Sequence, residues 1–169
     1  MEQFFVPNTR IETDRLVLRR HEPADFDRFW SYVTDPVAKR YTGGVTRLSK
    51  IERKAVFEQD CALPFIGGEA EFAVVSKSER TYLGYCGIRH SSELGGAELF
   101  YGFCRDSWHK GYGAESAAAV VRYAFETLGH SRLYASCEAE NTASLSILRR
   151  LGFSQLPKDT TLDCGVPLR

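Results

Sequence analysis

Apolar residues alternate with polar ones in some stretches of this sequence and recur at helical spacing in others. Alternation over a few residues is typical of half-buried strands, whereas apolar residues three and four apart are typical of amphipathic helices. In chain order, the pattern predicts a strand at 15–19, helices at 23–34 and 49–62, strands at 72–75, 82–89 and 97–104, a helix at 113–128, a strand at 132–138 and a helix at 141–151.

Residues that favour helix ends stand at several of these boundaries. Ser49 is followed three residues later by Glu52, the spacing of a capping box, in which each side chain accepts from the other's backbone N–H. Asn141 is placed to cap the last helix. Gly129 and Gly152 follow the last two helices, where a left-handed residue commonly ends the helical hydrogen bonding.

The order of the elements predicts a mixed sheet. Three consecutive strands with short connections favour an antiparallel meander, and the strand–helix–strand unit after it should bring its second strand in parallel through a right-handed crossover. The 97–104 strand is almost continuously apolar, as a buried central strand would be. We therefore expect an α/β fold forming one domain over residues 1–169. Only residues 160–166 could supply a last strand, so the C-terminal edge could be irregular or completed by a partner chain.

Charge and cysteine content exclude several classes of protein. Of the 169 residues, 22 are basic and 22 acidic, so no global field draws the chain onto nucleic acid or anionic lipid. The five cysteines are scattered without metal-ligand spacing, which favours reduced thiols and a reducing compartment. No stretch approaches the roughly twenty apolar residues of a membrane span, and the N-terminus does not resemble a leader. We expect a cytoplasmic protein without a metal and with neither nucleic acid nor a membrane as partner.

The most informative segment is residues 108–115, W-H-K-G-Y-G-A-E, between the most apolar strand and the strongest helix. A helix N-terminus leaves backbone N–H groups unpaired and suits an anion, and Gly111 and Gly113 would let the backbone approach a phosphate. Lys110 adds a positive charge. The string of a P-loop is absent, and the third glycine of a dinucleotide-binding loop is replaced by Ser116. Two interpretations of this segment stay open: it binds the pyrophosphate of coenzyme A, or it is a glycine turn that connects strand to helix without a ligand.

Further motifs give this loop a context. The string W-H-K-G-Y-G-A-E resembles the Q/R-x-x-G-x-G/A signature of the GNAT acetyltransferase superfamily. Residues 13–19 (T-D-R-L-V-L-R), 98–101 (E-L-F-Y), 141–144 (N-T-A-S) and 151–153 (L-G-F) occur in the matching order. Together with Trp108, they are similar to the branch that contains ribosomal-protein N-terminal acetyltransferases, which modify alanine or serine. The resemblance covers roughly residues 11–153.

The resemblance implies a fold and a cosubstrate. GNAT proteins have a mostly antiparallel sheet whose parallel fourth and fifth strands splay apart, here 97–104 and 132–138, and they use acetyl-CoA without a metal. The pantetheine arm would lie against the backbone of Tyr101, Gly102 and Phe103. The pyrophosphate would lie on the loop formed by Trp108, His109, Lys110, Gly111, Tyr112, Gly113 and Ala114.

The resemblance also implies a reaction, the transfer of an acetyl group to a primary amine on a protein N-terminus or a small molecule. Glu98 is the candidate general base and Ser144 the candidate partner of the sulfur, while Asn141 would bind the pantetheine arm. Many relatives carry a proton-donating tyrosine where this chain has Leu148.

Less specific roles stay open for each of these side chains. Glu98 could be a salt-bridged strand residue, Asn141 only a helix cap, and Ser144 a surface hydroxyl. The absence of the tyrosine keeps a non-catalytic acyl-CoA sensor as the alternative function. A monomer and a homodimer both fit the sequence, and the acceptor site is expected near Trp30, Tyr41 and the loop around Phe65.

Overall fold

A computed structural model of the chain describes residues 9–63, 65, 69–156 and 161–165. Its strands and helices, in chain order, are β1 (Ile11–Glu12), β2 (Leu16–Arg19), α1 (Phe26–Val33), α2 (Lys50–Ala62), β3 (Ala70–Ser76), β4 (Tyr82–Ser91), β5 (Gly96–Phe103), α3 (Tyr112–Glu126), β6 (Arg132–Ser136), α4 (Thr142–Arg150), β7 (Ser154–Gln155) and β8 (Thr161–Gly165). Single 3-10 turns precede α1 and follow β5. Within these ranges, no helix is long and apolar enough to cross a membrane.

One sheet contains all eight strands in the order β1-β2-β3-β4-β5-β6-β8-β7. Every neighbouring pair is antiparallel except β5 and β6, which are parallel and connected through α3. The predicted meander, the parallel crossover and the mixed α/β class are therefore confirmed. The predicted capping box of α2 is also present, with Ser49 and Glu52 accepting from each other's backbone N–H.

The two parallel strands diverge soon after they meet. Among the described residues, a single Cα pair, Glu98 opposite Tyr134, keeps β5 and β6 in register. On its other side, β5 pairs with β4 along its whole length, from Gly96 to Phe103. The splay expected from the resemblance thus begins just after Glu98 and leaves one edge of β5 without a strand partner.

Two apolar clusters cover the two sides of the sheet. One side, the α3 face, packs against α3 and includes Phe72, Cys86, Ile88 and Leu99. The other side, the α1 face, packs against α1 and α2 and includes Ala73, Val75 and Tyr82. Because side chains alternate along a strand, consecutive residues of β5 belong to opposite faces. Glu98 and Phe100 therefore lie on the α1 face, whereas Leu99 and Tyr101 lie on the α3 face.

The edge beyond β6 is completed by the chain itself. Strand β8 pairs with β6 from Thr161 to Gly165, and the two-residue strand β7 pairs with β8. The last strand predicted at 160–166 is present, although residues 160 and 166 lie outside the described ranges. At the opposite edge, β1 adds a two-residue strand that the apolar pattern is too short to predict.

Candidate active site

The segment 108–115 turns sharply into α3. His109 has φ +59° and Gly111, the residue before the helix, has φ +80°. The first bond of α3 runs from Glu115 N to Gly111 O at 3.1 Å. The N–H groups of Tyr112, Gly113 and Ala114 consequently have no acceptor within the helix, and they form the kind of backbone cradle that binds phosphate oxygens.

A charged tether fixes this turn to the N-terminal part of the chain. The carboxylate of Glu115 accepts from Thr13 Oγ1 at 2.5 Å, from Arg15 N at 3.0 Å and from Arg15 Nε at 2.7 Å. The Arg15 guanidinium also donates to Lys110 O at 2.9 Å and lies 4.8 Å from the centre of the Tyr112 ring. Burial alone would raise the pKa of Glu115, but these hydrogen bonds outweigh it and the pKa is lowered. The carboxylate therefore stays ionised at neutral pH.

The two glycines of the loop have different structural roles. Gly111 adopts the left-handed conformation that the turn requires. At Gly113, a Cβ would lie 3.2 Å from Ile147 Cδ1 and 3.7 Å from the Phe103 ring, so this glycine lets α3 approach α4 and β5 closely. Trp108 closes the loop, because its indole Nε1–H donates to Phe103 O at 3.0 Å. That carbonyl, one of the groups expected to hold the pantetheine arm, already has a partner.

The N-terminus of α4 lies across the gap from β5. Asn141 caps the helix, since its Oδ1 accepts from Ser144 N at 3.2 Å. Ser144 Oγ in turn forms a hydrogen bond with Tyr101 Oη at 2.7 Å. Burial raises the pKa of Tyr101 well above its ordinary value, and the bond to Ser144 offsets only part of that rise, so the phenol stays protonated. Leu148, at the position of the missing tyrosine, is 1% exposed and belongs to the apolar core.

Glu98 lies at the point where the two parallel strands separate. It is 5% exposed, and its Oε2 accepts from Arg89 Nε at 2.8 Å. Among the described residues, its Oε1 has no hydrogen-bond partner. The ring of Tyr134, from the facing strand, lies against Gly96 on the same side of the sheet. A buried carboxylate with one free oxygen at a strand divergence has the arrangement of a general base that can reach a proton from the α1 face.

Hydroxyl groups gather further along the same face. Tyr32 Oη lies 2.9 Å from Thr42 Oγ1 and 3.1 Å from Tyr85 Oη. Burial raises the pKa of both tyrosines. The hydroxyls of Tyr32 and Tyr85 lie over Gly102. A Cβ at this position would overlap the Tyr32 hydroxyl and would lie 2.8 Å from the Tyr85 hydroxyl. Gly102, expected to contact coenzyme A, thus makes room for side chains on the α1 face.

The structure separates the residues expected around the acceptor. Trp30 packs in the cluster of the α1 face, and Arg40 lies 5.3 Å from the centre of the Tyr41 ring. Phe65, in contrast, packs edge-on against Phe72 at 5.1 Å between ring centres, on the α3 face. Phe65 therefore does not share a face with Trp30.

Two ion pairs of the site, Arg15 with Glu115 and Arg89 with Glu98, were not predicted from the sequence. The tether between Arg15 and Glu115 joins residues one hundred positions apart, and no local pattern connects them. Arg89, the partner of Glu98, lies within a hairpin whose strands close at Ser91 opposite Gly96. Counting outward from that closure places Arg89 opposite Glu98, so the hairpin register was the available signal.

Comparisons with known proteins show the family to which the chain is similar. The family model "Acetyltransferase (GNAT) domain" matches residues 15–154. The chain is 29% identical over 144 residues to the protein named uncharacterized N-acetyltransferase p20 from Bacillus licheniformis, covering 85% of this chain and 81% of that protein.

Solved structures share the fold. A GNAT-family acetyltransferase from Bacillus anthracis superimposes with a TM-score of 0.76 at 20% identity, over 93% of this chain and 98% of the other. Spermidine N-acetyltransferase from Vibrio cholerae, solved with CoA and spermine, superimposes with a TM-score of 0.71 at 16% identity, over 85% of this chain and 83% of the other. The finer resemblance to the ribosomal-protein branch stays a prediction. With the family model spanning most of its length, the chain belongs to the GNAT family and is an acetyl-CoA-dependent acetyltransferase.

Proposed function

We propose that this enzyme transfers the acetyl group of acetyl-CoA to a primary amine through direct attack of the neutral amine on the thioester. The observation that carries the proposal is the position of Glu98, buried where β5 and β6 diverge and with one carboxylate oxygen free among the described residues. A base there can take a proton from an amine that approaches from the α1 face. That a spermidine acetyltransferase shares the fold supports a primary amine as the acceptor class.

The residues of the opposite side fit the acetyl donor. The backbone N–H groups of Tyr112, Gly113 and Ala114 would receive the pyrophosphate, with His109 and Lys110 at the mouth of the loop and Trp108 closing it. The unpaired edge of β5 beyond Glu98 would hold the extended pantetheine arm. The Phe103 carbonyl already accepts from the Trp108 indole, which leaves one of its two lone pairs for that arm.

Proton transfer divides between the two sides of β5. The amine nitrogen forms a bond to the acetyl carbon, Glu98 accepts the proton of that nitrogen directly or through one water, and the carbon–sulfur bond breaks with its electron pair on sulfur. A β5 backbone N–H would polarise the carbonyl oxygen. The thiolate then takes a proton from water, or from Ser144 Oγ, which regains its own proton from water.

Ser144 is supported by its neighbours as the partner of the sulfur. Asn141 holds the first turn of α4, and Tyr101 fixes the hydroxyl of Ser144 through a 2.7 Å hydrogen bond. Leu148 contributes no proton donor. A thiol with a pKa of about 8.5 is a tolerable leaving group at neutral pH, so the reaction does not require a dedicated tyrosine.

Glu98→Gln tests the proposal. The variant should lower kcat by about 10²- to 10⁴-fold, because it removes the base but preserves the shape of the side chain. Its Kd for acetyl-CoA, measured by calorimetry, should stay within twofold. Glu93→Gln, in the exposed loop before β5, is the matched control and should leave both quantities unchanged. Full turnover by Glu98→Gln would exclude Glu98 as the base, and absence of acetyl-CoA binding by the wild type would refute the donor site.

A further inference from the structure

The ion pair between Glu98 and Arg89 is exposed on one side only. The side chain of Glu98 is 7% exposed, whereas that of Arg89 is 56% exposed. The two residues lie directly opposite each other on β5 and β4. A reagent that approaches from solvent on the α1 face therefore meets the guanidinium next to the carboxylate.

The pair uses only part of the hydrogen-bonding capacity of its two groups. Arg89 contacts Glu98 through Nε alone, whereas Arg19 and Arg28 each hold an aspartate through both Nη atoms. In the part of the chain that the structure describes, neither Nη of Arg89 has a hydrogen-bond partner. Free Nη groups beside a free carboxylate oxygen provide a donor and an acceptor for one ligand.

The Arg89 guanidinium is held in place without these Nη groups. Its centre lies 5.0 Å from that of the Phe100 ring. The ring in turn lies against Gly87, where a Cβ would come within 3.0 Å of Phe100 Cε1. The contact with the aromatic ring and the Nε hydrogen bond hold the guanidinium beside Glu98, so its Nη groups are near that carboxylate before a ligand arrives.

We propose that the acceptor is a zwitterionic amine, an α-amino acid or a close analogue whose carboxylate lies a few bonds from the amine. The Nη groups of Arg89 bind the carboxylate by charge-assisted hydrogen bonds. The same contact brings the amine to Oε1 of Glu98, which takes its proton. This inference rests on the proposed acetyl transfer and adds the class of acceptor.

Charge balance distinguishes this acceptor from a polyamine. Arg89 and Glu98 together are neutral, so they complement a ligand that is also neutral overall but carries separated charges. A second ammonium near the reacting amine would be placed against the guanidinium of Arg89, and like charges in contact oppose binding. The pair therefore favours amino acids over diamines.

The test compares acceptors that carry a carboxylate beside the amine with acceptors that do not. Thiol release from acetyl-CoA is measured with α-amino acids, with the corresponding carboxamides and with diamines, using the full-length wild-type chain. We expect kcat/KM to be about 10- to 100-fold higher for an amino acid than for its carboxamide, the value of one charge-assisted contact. Equal or better use of carboxamides or diamines would overturn the proposal.

Substitution of Arg89 supplies the second arm. Arg89→Gln should reduce the acid-to-amide preference to about one, whereas Arg122→Gln, an exposed arginine on α3, should leave it unchanged. The preference is a ratio within one variant, so a general loss of activity or stability does not alter it. A preference that persists in Arg89→Gln would refute the role of Arg89. If none of these amines increased thiol release above the rate without amine, the proposed acetyl transfer itself would be refuted instead.

Discussion

Replacing Glu115 by glutamine should weaken both the fold and the binding of acetyl-CoA. Among the described residues, this carboxylate is the acceptor that connects the N-terminal segment, through Thr13 and Arg15, to the first turn of α3. Glutamine has nearly the same shape but only one accepting oxygen and no charge. Its amide would also direct N–H groups at the Arg15 guanidinium, which has no acceptor atom for them.

The size of the effect follows from the exposure of the groups. Hydrogen bonds to a charged group contribute about 1.5–3 kcal/mol each when well buried. The Glu115 side chain is 19% exposed but that of Arg15 is 50% exposed, so solvent screens part of their attraction. We expect the free energy of unfolding to fall by about 2 kcal/mol, which lowers Tm by about 4–8 °C in a domain of this size.

The pH dependence supplies a second signature. Since the folded-state pKa of Glu115 is lowered from its ordinary 4.5, its contribution is fully present above that value and is lost as pH falls through the lowered pKa. The stability difference between wild type and Glu115→Gln should therefore be constant near neutral pH and shrink in acid.

Chemical unfolding at several pH values measures this difference, and calorimetry measures acetyl-CoA binding. Glu126→Gln, exposed at the other end of the same helix, is the control and should change the free energy of unfolding by less than about 0.5 kcal/mol. An unchanged Tm, or a difference that does not shrink in acid, would refute the reasoning from the tether.

Three further predictions use matched substitutions. Gly111→Ala and Gly129→Ala both place a side chain at positive φ, and each should cost about 1–2 kcal/mol of stability. Only Gly111→Ala should also weaken acetyl-CoA binding, by about tenfold in a calorimetric titration. Equal binding by the two variants would contradict the assignment of the loop to the pyrophosphate. Asn141→Ala and Ser49→Ala each remove a helix cap worth about 1 kcal/mol, and only Asn141→Ala should also raise the Kd for acetyl-CoA. Gly102→Ala should lower the free energy of unfolding by about 1–3 kcal/mol in denaturant titrations, because its methyl group collides with two buried hydroxyls; a smaller loss would mean that the tyrosines move aside.

Local patterns predicted the helices and the longer strands of this fold because each is specified by neighbours in sequence. The capping box at Ser49 and the cap at Asn141 are short-range hydrogen bonds, and both are present. The parallel arrangement of β5 and β6 followed from the single helix between them, since a helix of that length returns the chain to the end of the sheet where the first strand began. The splay of these two strands did not follow from periodicity and came only from the resemblance, and its position just after Glu98 is known only from the structure.

Contacts between distant segments were beyond the sequence because nothing local requires them. Glu115 has the composition of an ordinary helix-surface residue, and only the folded chain brings Arg15 to it. The assignment of Gly102 to the cosubstrate shows a related limit. A motif identifies a position on a strand, but it does not show which neighbours require a glycine there. At Gly102 these neighbours are Tyr32 and Tyr85, whose hydroxyls occupy the space that a Cβ would fill.

The alternation of β5 explains how two ligands could meet at one strand. Glu98 and Phe100 lie on the α1 face with Arg89, where the acceptor is proposed to bind, whereas Tyr101 turns to the α3 face and reaches Ser144. Because side chains of neighbouring residues point to opposite sides, the proposed base and Tyr101, three positions further along, lie on opposite faces of the strand. The divergence of β6 opens the space between them. Insertion of a single residue between Glu98 and Tyr101 would therefore move one group to the face of the other, which makes the register of β5 as important to the proposed reaction as either side chain.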